Sequence, residues 1–115
     1  MSNDPTLKDW QPDAERLAFA VHRALTNMGG YEDGAFDGLL GSNWARGIEA
    51  DSTAAQKAAL LLRAYEALCA HMGGGKENMH HWMQTPNTGT GGTPIEQIAA
   101  VPGLNTVVTY LESMP

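Results

Sequence analysis

Residues 53–72 read TAAQKAALLLRAYEALCAHM, and this stretch decides the fold. It is rich in alanine and leucine, which are among the residues most favourable to an α-helix. Thr53 and Gln56 have the spacing of a capping box, so we expect the helix to begin there. A helix this apolar predicts a central position with other helices packed around it. Its larger apolar residues recur at helical spacing, and smaller residues widen the stripe: Leu61, Tyr65, Leu68 and Met72, with Ala54, Ala58 and Leu62.

The sequence before this helix predicts a helical lobe over residues 12–72, preceded by a polar lead-in at residues 1–11. Proline tolerates the first turn of a helix, so we expect the first helix to begin at Pro12. The run of two glycines after Met28 predicts its end, because glycine takes the left-handed conformation that closes a helix. The predicted apolar face holds five residues: Leu17, Ala18, Phe19, Val21 and Leu25.

Two short helical patterns follow, over residues 35–40 and 42–48, with Gly41 between them. This outline is typical of a helix-turn-helix in degenerate form, so DNA binding is a candidate function. Asn43 and Arg46 are the candidate DNA contacts. Phosphate binding normally needs several cations on one face, whereas Arg46 is surrounded by acidic residues, namely Asp33, Asp37, Glu49 and Asp51. We therefore expect the unit to serve packing or dimerisation.

Glycines at residues 73–75 end the long helix and predict a hinge to a second lobe at residues 76–115. This lobe is predicted to contain three helices, the first over residues 76–84. Thr93 and Pro94 are a cap and first helical residue for the second. Pro102 and Gly103 are expected to interrupt the chain before the last helix, whose apolar residues are Leu104, Val107, Val108 and Leu111. No alternating strand pattern is present, so the predicted fold class is all-α.

Composition excludes several classes of protein. The chain has 115 residues, 43% of them hydrophobic, which suits one domain or two small lobes sharing a core. The single cysteine excludes an internal disulfide framework and predicts a reducing, cytoplasmic location. No apolar run approaches the ~20 residues of a membrane helix, and the start lacks a signal-peptide pattern. The net charge of −6 disfavours a protein held to nucleic acid mainly by phosphates.

No residue set predicts catalysis, a cofactor or a metal. His80 and His81 are adjacent, and adjacent helical residues point in different directions, so they do not form a metal site. Cys69 and His71 are two residues apart on one helix and face away from each other. The Gly91-Gly92 loop lacks the lysine and the preceding strand of a phosphate-binding loop. We therefore expect a binding protein and not an enzyme.

The C-terminal stretch carries a family resemblance. The motif residues, in order, are Trp82-Met83-Gln84-Thr85-Pro86-Asn87, then Gly91-Gly92-Thr93-Pro94-Ile95-Glu96, then Gly103, Val107 and Leu111. This order resembles the toxin-binding domain of Xre/MbcA/ParS-type antitoxins over residues 76–115. Residues 12–72 resemble the Xre-like region that precedes it. The family usually has leucine before Gly-Gly, and this chain has Thr90, so the resemblance implies that one loop anchor is missing.

The resemblance implies a type II antitoxin that binds a RES-domain toxin, which consumes NAD, and blocks its active-site cleft. Most motif residues are then expected to shape the lobe. A pocket for NAD must attract phosphates, so we predict that the negatively charged end of the chain enters it, through Tyr110, Glu112, Ser113, Met114 and Pro115. Alternatively, Tyr110 and Met114 only complete the packing of the lobe. An operon autorepressor that binds DNA is the second functional hypothesis.

Oligomerisation is also expected, either with itself or with the toxin. Trp44 and the three consecutive leucines at residues 60–62 offer more apolar surface than a small chain readily covers. Symmetric dimers are the commonest outcome of such a surplus.

Overall fold

A computed structural model describes residues 12–114, so the lead-in at residues 1–11 and Pro115 lie outside the described part of the chain. The described residues are all-α, as predicted. Their β-type pairing is confined to an isolated bridge between Asn87 and Gly92. The elements are α1 (Pro12–Asn27), α2 (Asp37–Leu40), a 3-10 turn (Trp44–Arg46), α3 (Thr53–Met72), α4 (Lys76–Gln84), α5 (Pro94–Gln97) and α6 (Val101–Ser113).

Helix α3 lies at the centre, as its composition predicts. It packs most extensively against α6 and α1. Its fully buried side chains follow one stripe and include Ala58, Leu61, Ala64 and Leu68. Tyr65 and Met72 lie at the margin of this stripe and are only partly buried. The apolar face that the sequence indicates is therefore the surface around which the rest of the chain is arranged.

The residue that caps α3 differs from the prediction. Ser52, not Thr53, is the N-cap: its Oγ accepts a hydrogen bond of 3.1 Å from the amide of Ala55. Ser52 has the extended backbone of a capping residue, whereas Thr53 is already helical. The predicted capping box, based on residue types alone, was wrong by one position.

The predicted second helix of the helix-turn-helix is a single 3-10 turn. Asn43 precedes it in the left-handed conformation, with φ 62°. After it, the amide of Ile48 donates to the carbonyl of Ala14 at 3.0 Å, which fastens the chain to α1. Trp44 is buried beside the ring of Tyr31, with centroids 5.6 Å apart. Because the chain is attached to its neighbours at both Trp44 and Ile48, only a single helical turn forms between residues 42 and 48. No recognition helix is present there.

The last helix begins earlier than predicted. Pro102 and Gly103 lie inside the first turn of α6, which starts at Val101. Proline needs no amide partner there, and the amide of Leu104 donates to the carbonyl of Ala100 at 2.8 Å. The expected interruption lies instead before Val101, where Ala100 has an extended backbone.

The buried residues form one continuous cluster on both sides of the glycines at 73–75. Gly73, with φ 64°, closes α3 in the left-handed conformation, and its amide donates to the carbonyl of Cys69. α6 then returns to pack along α3. The core is therefore shared by the residues before and after this point. The division of the chain into two lobes at residues 73–75 remains a prediction.

Two exposure predictions were wrong. Phe19, predicted to lie on the apolar face of α1, points outward and is 64% exposed. Leu61 and Trp44, expected to offer surface for oligomerisation, are buried in the core, and Leu60 and Leu62 are partly buried against it. Any apolar contact surface of the described residues must therefore be sought elsewhere.

Candidate functional site

Two aromatic rings join α4 to α6. Trp82 and Tyr110 stack with ring centroids 6.3 Å apart and an interplanar angle of 19°. Trp82 is half-buried against the core, and Tyr110 lies outside it, partly exposed. Tyr110 therefore packs against Trp82 and also remains partly accessible to solvent. A tyrosine side chain suits such a position because its ring is apolar and its hydroxyl is polar.

Gly89 is the residue that lets the Tyr110 ring lie where it does. A Cβ at Gly89 would overlap the ring and would come within 2.7 Å of its Cζ. The absence of a side chain allows the loop between α4 and α5 to lie directly on Tyr110. The loop and the C-terminal half of α6 therefore form one surface.

This loop is held by a compact set of hydrogen bonds. The amide of Asn87 donates to the carbonyl of Gly92 at 2.8 Å, and its side-chain Oδ1 accepts from the amide of Gly89 at 2.7 Å. Gln97 of α5 donates to the carbonyl of Thr90 at 2.6 Å. Gly91 has φ 79°, which favours glycine at that turn. Asn87 and Gly91 thus shape the loop.

Thr90 corrects one expectation. The sequence suggests that a loop anchor is missing where the family usually has leucine. The Thr90 side chain is only 4% exposed, and its Oγ lies 3.3 Å from the carbonyl oxygens of both Asn87 and Gly92. Threonine therefore anchors the loop by burial and hydrogen bonding, in place of a purely apolar contact.

The remaining motif residues have structural positions. Pro94 is buried at the first position of α5, and Thr93 is the N-cap without a side-chain hydrogen bond. Val107 and Leu111 are buried on the inner face of α6. Gly103 lies so close to Gln97 that a Cβ there would reach within 2.8 Å of its carbonyl carbon. Pro86 is exposed and lines a shallow depression with the loop residues Asn87, Thr88, Gly91 and Gly92.

An open groove of about 460 Å³ follows the outer face of α6. Its lining side chains are polar and uncharged, apart from the ring of Tyr110 and the backbone of Gly89. Interface centres are characteristically depleted in charge and enriched in tyrosine. The groove is therefore a candidate binding surface, and it is lined by Gly89, Asn105, Thr106, Thr109, Tyr110 and Ser113.

Two contacts fasten the end of α6 to α3. Arg63 donates to both carboxylate oxygens of Glu112, with Nε 3.0 Å from Oε2. His71 Nε2 lies 2.9 Å from the carbonyl oxygen of Leu111. Ser113 donates to the carbonyl of Tyr110, and Met114 packs partly against the core. The residues predicted to form an inserting tail are thus the last turn of α6 and the residue after it, and Pro115 lies outside the described part.

The Arg63–Glu112 pair shifts the pKa of both groups. The hydrogen bond from Arg63, supported by its charge, lowers the pKa of Glu112 from its ordinary 4.5. The same hydrogen bond and charge raise the pKa of Arg63. Both side chains are substantially exposed, so the pair is a modest link and not a buried ion pair.

Acidification is expected to weaken this link. A carboxyl whose pKa is lowered by folding stabilises the fold above its unfolded pKa, and that contribution is lost as the pH falls through the folded value. We expect the stability of the wild type to decline more steeply below pH 4.5 than that of Glu112→Gln, measured by urea unfolding at several pH values. Glu96→Gln, which removes another exposed carboxylate, is the control. Parallel pH profiles for wild type and Glu112→Gln would contradict the prediction.

The candidate DNA contacts do not form a reading surface. Asn43 and Arg46 are exposed at the two ends of the 3-10 turn, and no helix projects from this region.

Among residues 12–114, no group of three or more histidine, cysteine or acidic side chains is placed to hold a metal. Cys69 is partly buried, with Sγ 3.8 Å from the sulfur of Met79. Within the described residues, no helix is both long and apolar enough to span a membrane.

Sequence reasoning missed the polar half of the groove. Asn105, Thr106 and Thr109 were not singled out, although they alternate with the buried residues of α6 at helical spacing. Their position on the outer face follows from that spacing. Gly89 gave no comparable signal, because its importance depends on the Tyr110 ring, which is distant in sequence.

The fold and its surface define a small helical protein with a candidate binding face on its C-terminal part. Residues 68–114 match the family described as Antitoxin Xre/MbcA/ParS C-terminal toxin-binding domain. Residues 68–114 are therefore the part of the chain that carries this toxin-binding domain, as the motif order predicts. The match begins in the last turn and a half of α3 and covers α4, α5 and α6. No curated protein matches the chain.

A toxin-binding domain indicates a regulatory protein that acts by binding a toxin. The matched residues include both rings of the Trp82–Tyr110 stack, the loop that contains Gly89 and every residue that lines the α6 groove. The inner face of α6 is occupied by packing against α3, so the outer face of this helix is the one that remains exposed.

Proposed function

We propose that this chain is the antitoxin of a type II toxin–antitoxin system and neutralises a NAD-consuming RES-domain toxin. The observation that carries the proposal is the family match over residues 68–114. The C-terminal lobe would cover the active-site cleft of the toxin, with the α6 groove and the end of α6 as the contact surface. Since NAD is an intracellular cofactor, the proposal places the pair in the bacterial cytoplasm.

Charge supports this choice of partner. Residues 68–114 contain Lys76 against three glutamates, Glu77, Glu96 and Glu112, and the whole chain has a net charge of −6. A cleft that admits the phosphates of NAD is expected to be electropositive. Complementary potentials speed association and suppress wrong partners. Glu112 is paired with Arg63, which offsets its charge, so the complementarity rests on Glu77, Glu96 and the net charge of the whole chain.

The tail hypothesis now has a more specific form. Tyr110 and Ser113 line the groove, while Glu112 faces α3. We propose that Tyr110, Ser113 and Met114, followed by Pro115, approach the toxin as the end of a helix, with Tyr110 as the anchor. Large rings that are already immobilised are favoured as binding hot spots, because little conformational freedom is lost on binding.

Co-expression tests the proposed function. The chain would be expressed with the protein encoded by the neighbouring gene, which the proposal expects to be a RES-domain toxin, and cellular NAD, growth and co-purification would be measured. We expect a stable complex, normal NAD and normal growth, against NAD loss when the toxin is expressed alone. A toxin that still depletes NAD and does not co-purify with the chain would overturn the proposal.

Deleting the predicted tail is not a clean test, because it would also remove Leu111, which is 1% exposed. Point changes at the outer face separate the two effects. Ser113→Arg adds a charge and bulk to the groove without touching the buried face of α6. It is expected to weaken co-purification with the toxin while leaving the unfolding midpoint in urea unchanged.

A further inference from the structure

Two Asp-Gly pairs follow helix α1, and they differ in conformation. Asp33-Gly34 forms the centre of a β-turn, whereas Asp37-Gly38 begins α2. All four residues are exposed. An aspartate that precedes glycine is the aspartate most open to attack by the backbone on its own side chain, because glycine has no Cβ to hinder the approach. The chain therefore offers the same chemistry in two settings.

The turn around Asp33 is closed at its ends and free at its centre. The amide of Ala35 donates to the carbonyl of Glu32 at 3.0 Å, and Gly34 has φ 82°, as the third residue of a type II turn requires. The central peptide group consists of the carbonyl of Asp33 and the amide of Gly34, and neither has a hydrogen-bond partner among residues 12–114. Glycine tolerates both signs of φ, so this group can rotate without breaking the hydrogen bond that closes the turn.

The corresponding peptide group of the second pair is held by the helix. The carbonyl of Asp37 accepts a hydrogen bond of 2.8 Å from the amide of Gly41, at the end of α2. Rotating the group between Asp37 and Gly38 would break this hydrogen bond, which spans the whole of the short helix. The backbone nitrogen of Gly38 is therefore less able to approach the side chain of Asp37 than that of Gly34 is to approach Asp33.

We propose that Asp33 is a site of spontaneous isomerisation to isoaspartate in the folded protein. The backbone nitrogen of Gly34 attacks Cγ of Asp33, and a cyclic succinimide forms as the amide proton and the hydroxyl of the carboxyl group leave as water. Water then adds to either carbonyl of the ring, which regenerates aspartate or produces isoaspartate. The reaction consumes no oxidant or reductant, and the product has the mass of the starting protein.

Isoaspartate changes the chain at a defined place. The backbone then runs through the former side chain and is longer by a methylene, while the α-carboxylate becomes the side group. This carboxylate is the group that a protein-isoaspartate methyltransferase esterifies with S-adenosylmethionine. The added length lies between Tyr31 and Phe36, whose rings are in edge contact with centroids 5.8 Å apart. The site lies outside residues 68–114, and the inference does not depend on the proposed toxin.

Peptide mapping of the aged protein tests the proposal. The full chain is kept folded at neutral pH for several weeks, and the tryptic fragment 24–46, which contains both aspartates, is sequenced by electron-transfer fragmentation. The ratio of isoaspartate at Asp33 to that at Asp37 is compared with the ratio in the urea-unfolded chain, which measures the intrinsic reactivity of each pair. We expect folding to raise the ratio at least about fivefold, the factor for one hydrogen bond that must break first. A native ratio at or below the unfolded ratio, or no isoaspartate at Asp33, would overturn the proposal.

Matched variants assign the modification to its residue. Asp33→Glu keeps the charge, but its longer side chain would have to close a larger and less favourable ring. It should remove most of the methyl groups that a protein-isoaspartate methyltransferase adds to the aged native protein, and its unfolding midpoint in urea should match the wild type because Asp33 is exposed. Asp37→Glu should accept methyl groups as the wild type does. Wild-type methylation of Asp33→Glu, or loss of methylation in Asp37→Glu, contradicts the assignment to Asp33.

Discussion

Replacing Gly103 by alanine is expected to lower the free energy of unfolding by about 2 kcal/mol, the scale of overpacking in a tight interior. A Cβ at this position would lie 2.8 Å from the carbonyl carbon of Gln97 and 2.9 Å from its Cα. These are backbone atoms, so neither can rotate away. α6 would have to shift relative to α5, and the outer face of α6 would shift with it. Urea unfolding followed by circular dichroism measures the effect.

Gly38→Ala is the matched control. Gly38 lies in α2, is exposed and has no atom within 4 Å of a Cβ placed there. Alanine is more favourable than glycine in a helix by about 0.5–1 kcal/mol, so this variant should be as stable as the wild type or slightly more so. Equal stability of the two variants would show that the close approach of Gly103 to α5 does not constrain the fold.

Thr109→Arg is expected to abolish neutralisation of the toxin. Thr109 lies on the outer face of α6, is exposed and lines the groove. An arginine there fills the groove and adds a positive charge where we propose that an electropositive cleft docks. Like charges brought together at an interface cost several kcal/mol, so we expect the affinity for the toxin to fall about a hundredfold. The dissociation constant and the NAD level on co-expression are the two measurements.

Thr53→Arg makes the same change at a distant position. Thr53 is exposed at the start of α3, ten residues before Arg63, which is about 15 Å along the helix. Both variants change only exposed side chains, so their unfolding free energies should stay within about 0.5 kcal/mol of the wild type. If Thr109→Arg neutralises the toxin as well as Thr53→Arg does, the α6 groove is not the contact surface.

The long helices could be predicted closely because their signals are local. The bounds of α1, α3 and α4 follow from helical periodicity, from proline at a start and from glycine at an end, and the structure has them at the predicted residues. The short elements between residues 31 and 52 could not be predicted in this way. Their form depends on attachments to α1, such as the hydrogen bond from Ile48 to Ala14.

The candidate site was predicted in part. Motif order indicated the correct family and the segment that carries its binding domain. It did not indicate that Thr90 is buried and anchors the loop, because threonine in place of the family's usual leucine suggested that this anchor is missing. It did not indicate that Phe19 is exposed, because the residue was assigned to the apolar face by its type, although it lies about 200° around the helix from the buried Val21.

The sequence by itself determined the all-α class, the central helix and the family of the C-terminal half. These depend on periodicity, on composition and on the order of turn residues, all of which are read along the chain. Tertiary structure alone decided that α6 packs along α3, that Glu112 pairs with Arg63, and that Gly89 makes room for Tyr110. These contacts join residues distant in sequence, so they exist only after α6 has packed back against α3.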